Sequence, residues 1–293
     1  MVSKNYCDKG FTLIVVNFSG LMGNNLFQYS AGRLIAEALG YELKCAGIYS
    51  FPHTFDIVRG MRFIEPVETI SDENFALRTT VNDRRNRRIE LNGHFQRADF
   101  LVDNKSRVLD FFCQPKLETF PALDIVIHVR LGDYVTLDWS LPYSYFEVAL
   151  TRLYKKEMEI WIATDEPWHP FFLRFKKWKP RYIKADSYDT FLLMRKAKNL
   201  IISRSTFSWW AAFLGDHDAV IGPKPKSGFW SNHTIGLGMS NLFNDRVFTP
   251  IEYDETETQN FIERFYFNLR ESNSWLKMRT KNMRKFVKSY VKS

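Results

Sequence analysis

The stretch DIVIHVRLGDY, residues 124–134, decides how this chain is read. The branched apolar residues Ile125, Val126 and Ile127 run straight into His128, Arg130 and Asp133. A short continuous apolar run is the mark of a strand covered on both faces, as in a parallel sheet between helices. Polar groups at the end of such a strand belong at the carboxyl edge of the sheet, where ligands bind. His128 and Arg130 are two apart and share a face if the strand continues. Gly132 permits a tight turn that brings Asp133 back. Arg130 offers a fork for phosphate oxygens, and Asp133 either orients that fork or accepts a proton. Taken alone, the pattern is served slightly better by a structural ion pair that closes the strand.

Working outward, strand-like runs alternate with helical ones. YSYFEVALTRLYKK reads as a helix after Leu141-Pro142, EIWIA as a strand and DTFLLMRKAK as a helix. NLIIS, FSWWAAFLG and AVIG then read as strand, helix and strand. Upstream, Phe11–Val16 is a short strand, SGLMGNN a glycine turn, and LFQYSAGRLIAEALG a helix stopped by Gly40. Strands alternating with helices predict a mostly parallel α/β fold. The irregular middle, Phe51–Asn92, contains no assigned element. A boundary near Gln114–Pro121 divides an N-terminal unit, 1–118, from a C-terminal unit, 119–250, with a helical, basic tail at 251–293.

Bulk properties narrow the function. The chain has 293 residues, 45% apolar and 25% charged, which fits a globular protein of two domains. No run reaches the roughly 18 apolar residues of a membrane span. Phe11–Phe18 is too short for a leader, and no small-residue cleavage site follows it. Cys7, Cys45 and Cys113 are few, odd in number and widely spaced, which argues for a reducing compartment and against a disulfide frame. These features predict a cytoplasmic protein. A net charge of +8 points to an anionic partner: nucleic acid, a membrane surface or a phosphate-bearing substrate. The tail carries Lys277, Arg279, Lys281, Arg284, Lys285, Lys288 and Lys292 and no acid, with an apolar face at helical spacing. It fits a helix lying on an anionic membrane and, equally, a helix packed on a domain with solvated lysines.

The second polar cluster is NLIISRSTFSWWAAFLG, 199–215. Ser203, Ser205, Thr206 and Ser208 crowd a strand-to-helix turn. One hydroxyl suffices to cap a helix, and four favour an anion site at the helix start. Trp209 and Trp210 sit inside the helix and read as packing residues. Thr164 and Asp165 end a further strand on the same edge, where Asp165 serves as a ribose or base contact or as a loop cap. In GLMGNNLFQ, 20–28, Gly20 and Gly23 allow close backbone approach, and the dinucleotide fingerprint is missing. DHD at 216–218 lies on the opposite edge and reads as a solvated turn. RRNRR at 84–88 lacks interleaved aromatics, so no nucleic-acid partner is assigned. No metal-ligand spacing is present.

Taken together, these segments resemble the α-1,2-fucosyltransferases of glycosyltransferase family 11. GLMGNNLFQYSAGRLIA is similar to the family's GGLGNQLFQYAFGRALA, and NGHFQRADFL to its GYFQSEKYF. IHVRLGDYV resembles the HxRRxD motif, and LPYSYFEVAL the LPxxYYxxA that follows it. LLMRKAKNLIISRSTFSWWAAFLG resembles LMSxCKHNIIANSSFSWWAAWL. The resemblance implies a GT-B-like fold of two Rossmann-type domains facing a cleft. It implies transfer of fucose from GDP-L-fucose to the 2-hydroxyl of a terminal galactoside, without a metal. By position, Arg130 would grip the diphosphate, with His128 and Asp133 completing that catalytic motif. Ser205, Thr206, Phe207 and Ser208 would bind the donor, with Gly23 and Asn24 facing it from the other domain; Asp165 joins the donor-binding set from its place at the strand end alone. Leu131 replaces the family's second Arg and is expected to point away. Arg204 stands at the family's Asn and is expected to restore the charge. The family's C-terminal ending is missing after Pro223. Two alternatives remain: a transferase of another nucleotide sugar, and a non-catalytic glycan- or membrane-binding protein.

Overall fold

The computed structural model describes residues 13–48, 51, 67–72, 88–112, 115–137, 139–225, 242 and 246–253. Its strands form two sheets, and every recorded strand pair is parallel. The first sheet has the order β2-β1-β4-β3, from Glu42–Cys45, Leu13–Val16, Arg88–Leu91 and Val67–Ile70. The second has the order β10-β9-β8-β5-β6-β7. Its strands are β5 Ile125–Val129, β6 Ile160–Thr164, β7 Arg181–Tyr182, β8 Asn199–Ile201, β9 Ala219–Pro225 and β10 Thr249–Tyr253. In chain order this is 3-2-1-4-5-6 seen from the other edge, the doubly wound Rossmann arrangement. The GT-B-like expectation of two Rossmann-type units is met in these sheets.

Strand β5 is buried along its whole length, as its unbroken apolar run requires. It pairs with β6 on one side and β8 on the other. The order of the second sheet reverses between β5 and β8. At such a switch point the connections leave in opposite directions and open a crevice beyond the carboxyl ends.

Helix α1 (Met22–Leu39) follows β1, and Gly40 ends it at φ 67°, in the left-handed conformation. The helix begins earlier than the sequence suggests. Gly23, Asn24 and Asn25 lie in its first turn, and the preceding bend is made by Gly20 at φ 75°. Short helices α2 (Ala98–Asp103) and α3 (Lys105–Phe111) lead to the second unit. There α4 (Gly132–Thr136) follows β5, and α5 (Tyr143–Leu153) starts directly after Pro142. Helix α6 (Ser187–Lys196) is capped by Asp186, which accepts from the Asp189 backbone N–H. Helix α7 (Thr206–Leu214) follows β8.

Two features of the sequence reading change. The middle segment is not wholly irregular: β3 and β4 lie in it and complete the first sheet. They were hidden because each has four residues, and β3 buries only Ile70 fully. Strand β10 carries the second sheet to Tyr253, three residues into the stretch assigned to the tail. Residues 254–293, and with them the basic amphipathic segment, lie outside the described residues, as do residues 84–87 of RRNRR. Arg88 opens β4 and pairs with Glu90. Among the described residues no helix is long and apolar enough to cross a membrane.

One apolar core joins the two sheets. It includes Phe27 and Ile35 of α1, Phe112, Phe191 of α6, and Trp209, Trp210 and Phe213 of α7. Phe27 lies 4.9 Å from both tryptophan rings, and Trp209 stacks on Phe213 at 5.0 Å. Both tryptophans are fully buried, and Trp209 Nε1 donates to the Leu242 carbonyl at 2.6 Å. Their packing role follows from this. A second cluster, with Ile125, Ile127, Leu131, Phe146 and Phe175, fills the opposite face of the second sheet.

The first turn of α1 presses on the first turn of α7 at Gly23. A Cβ there would stand 2.5 Å from Thr206 Oγ1, 2.7 Å from the Phe207 backbone N and 2.8 Å from the Thr206 carbonyl carbon. Two of these neighbours are backbone atoms, so relief requires the helices to part. Gly23→Ala is therefore expected to cost about 1–3 kcal/mol of stability. Urea unfolding of the variant against the unmodified protein measures it, and an unchanged midpoint contradicts the contact.

Candidate active site

The crevice at the switch point gathers the residues that the sequence singled out. His128 is the fourth residue of β5 and is buried, with 6% of its surface exposed. Its Nδ1 lies 2.7 Å from Ser203 Oγ, and its ring lies 5.5 Å from Phe207. Burial, with Arg130 beside it, pushes the imidazole from 6.5 down to about 3. At neutral pH His128 is uncharged and ties β5 to the turn after β8.

Arg130 leaves the sheet two residues later. Its Nη2 donates to Asp133 Oδ1 at 2.5 Å, and its Nη1 lies 3.1 Å from Asp165 Oδ2. Its guanidinium carbon stands 5.5 Å from the centre of the Tyr134 ring. Asp165 follows β6, whose Thr164 is in register with Val129 of β5. Its second oxygen, Oδ1, accepts the Leu131 backbone N–H at 3.0 Å. The structure thus sets Asp165 against Arg130 and the turn that carries it. Gly132 fits that turn because a Cβ there would collide with Asp165 Oδ2. Leu131 points into the core with 2% exposure, as expected for the residue that replaces an arginine. Tyr134 is largely enclosed, and burial raises its phenol above the usual value.

The turn after β8 runs alongside, because β8 and β5 are hydrogen-bonded neighbours. Its four hydroxyls have different duties. Ser203 meets His128. Thr206 Oγ1 donates to Asn24 Oδ1 across the junction at 3.1 Å. Ser208 Oγ donates to the carbonyls of Ser203 and Ser205 at 3.3 and 3.2 Å. Ser205 is the N-cap of α7, yet its side chain makes no capping hydrogen bond. The helix therefore starts with uncapped amides, no acid in its first turn and an uncommitted serine hydroxyl, which suits an anion. Phe207 packs between His128 and Phe191, at 5.5 Å from each ring.

Gly23 and Asn24 face this turn from α1. Gly23 is filled by the turn itself, so its missing Cβ serves helix packing. Asn24 Oδ1 accepts from both Thr206 Oγ1 and Gln96 Nε2, the latter at 3.0 Å. Gln96 had no role in the sequence reading, although it was visible in NGHFQRADF. It follows β4, and without that strand nothing placed it at a carboxyl edge. Arg204 is buried, donates to the Ser140 carbonyl at 3.4 Å and lies over the Tyr253 ring at 5.4 Å. It contributes positive charge near Tyr134. His217 of DHD is held in its turn by the carbonyls of Ala197 and Ala211, while Asp216 and Asp218 are exposed. Among the described residues no three His, Cys, Asp or Glu side chains gather as metal ligands.

Parts of the chain are similar to known proteins. Residues 88–227 match the family model described as glycosyl transferase family 11. The O-antigen biosynthesis glycosyltransferase WbnK of Escherichia coli is 29% identical over 134 residues, 40% of this chain and 43% of that protein. The chain thus spans less than half the length of the curated relative it matches. Among solved structures, the fucosyltransferase NodZ from Bradyrhizobium is similar with a TM-score of 0.42 and 13% identity, over 70% of this chain and 93% of that one. POFUT1 in complex with GDP-fucose is similar with a TM-score of 0.45 and 9% identity, over 72% and 96%.

The buried imidazole has a consequence for stability. Below pH 6.5 the unfolded chain binds a proton at His128 that the folded chain refuses until about pH 3. Stability therefore falls as the pH drops through that window. Between pH 7 and 4.5 this residue should account for about 2–3 kcal/mol of the loss. Urea unfolding at both pH values tests it: His128→Asn should lose less stability on acidification, and equal losses would refute the assignment. Residues 88–227, just under half of the chain, are similar to glycosyltransferase family 11.

Proposed function

We propose that the protein moves L-fucose from GDP-L-fucose to the 2-hydroxyl of a terminal galactoside, with inversion, in one displacement. The observation that carries this reading is a guanidinium just past the carboxyl end of β5, whose neighbour β8 leads into the uncapped start of α7. As the sugar leaves, negative charge grows on the β-phosphate of GDP. Arg130 and the α7 amides meet that charge in a partly enclosed site, where such donors act most strongly. The Ser205 hydroxyl adds a further donor. The donor sugar and the linkage come from the resemblance of the sequence motifs to α-1,2-fucosyltransferases. The acceptor is a glycan, which the O-antigen role in the relative's name supports.

Asp133 is the base for the acceptor hydroxyl in this reading. Its side chain is 56% exposed, whereas Asp165 is 26% exposed and bonded through both oxygens. His128 holds the turn after β8 in place. Asn24 and Thr206 keep the two units in register at the donor pocket.

Incubation with GDP-L-fucose and a panel of galactosides, read by mass spectrometry, tests the reading. A product heavier by one deoxyhexose is expected with a galactoside whose 2-hydroxyl is free, and not with its 2-deoxy analogue. Arg130→Ala should lower transfer by about 10²–10³ with an unchanged melting temperature. Transfer within a few-fold of the unmodified protein would reject the role of Arg130.

A further inference from the structure

Arg130 is bracketed by two carboxylates that are held very differently. Asp165 uses both oxygens, one on Nη1 of Arg130 and one on the Leu131 N–H, and it packs against Gly132. Asp133 makes a shorter contact, 2.5 Å to Nη2, from a side chain twice as exposed. We infer that Asp165 is the positioning residue that aims Arg130, and that Asp133 is an internal stand-in for the diphosphate, displaced when it arrives. This rests on the proposed function and adds an order to it: the nucleotide must bind before Asp133 is free to accept the proton of the sugar hydroxyl.

The physical basis is the inequality of the two pairs. An exposed ion pair contributes little, so an anion with several oxygens displaces it readily. A carboxylate bonded to a backbone amide and wedged against a glycine does not move without disturbing the turn. The protein then keeps Arg130 oriented while the site is empty and gives up only the weaker partner. Both carboxylates carry one negative charge. A purely electrostatic account therefore demands that removal of either one tighten GDP binding. The positioning account demands opposite signs.

Titration calorimetry with GDP on the full chain decides between them. D133N should bind GDP roughly three- to tenfold more tightly than the unmodified protein. D165N should bind it roughly tenfold more weakly. D133N should nonetheless transfer fucose more slowly, so that affinity and turnover move in opposite directions. If D165N fails to fold, D165E keeps the charge, shifts the carboxylate by one methylene and should also bind more weakly. Unchanged or weaker GDP binding by D133N, or unchanged or tighter binding by D165N, overturns the inference and leaves the proposed function standing. Absence of GDP binding to the unmodified protein, or full binding by R130A, overturns both.

Discussion

A guanidinium at the end of a fully buried strand must be held by the protein, because only 25% of its side chain is exposed to water. Everything at the switch point serves that constraint. Strand β5 is fixed by β6 and β8 on its two flanks. Thr164 stands in register with Val129, so the next residue of β6, Asp165, falls where Arg130 emerges. Gly132 leaves room for that carboxylate. His128, two residues earlier, anchors the neighbouring turn through Ser203 and is kept uncharged by its burial. A protonated imidazole here would set two cations along one strand end.

The segments with long apolar runs were legible in the sequence because their burial is nearly complete. Strand β5 and helix α7 are of this kind, and both appear close to where the pattern puts them. The short strands were not. Arg88–Leu91 alternates charged and apolar residues over a single four-residue pass, and Arg181–Tyr182 is two residues long. Such strands exist because a neighbour supplies their hydrogen bonds, and periodicity does not report neighbours.

The site was legible as a set of residues and less so as a set of roles. The strand end offered Asp165 as a ribose or base contact or a loop cap, and the register of β6 on β5 sets it against Arg130. Motif position put Gly23 opposite the donor pocket, and the atoms that fill the space beside it belong to Thr206 and Phe207. Gln96 became visible only when β4 placed it beside Asn24. Each role was set by a partner far away in the chain, which a local pattern cannot contain. Leu131 is the contrary case: a residue next to one that faces outward faces inward, and alternation alone foretold its burial.

The close approach at Gly23 has a further meaning for how the two sheet units stay together. Helices α1 and α7 meet at their starting turns, and neither has an acid there to soften the encounter. Each helix start carries a partial positive charge, so like poles face one another across the seam. The apolar core and the Asn24–Thr206 bond hold the seam shut against that repulsion. An anion lodged beside it would turn the repulsion into attraction for both helices at once. A bound anion would then act as mortar between the halves, and the occupied protein would be the tighter molecule.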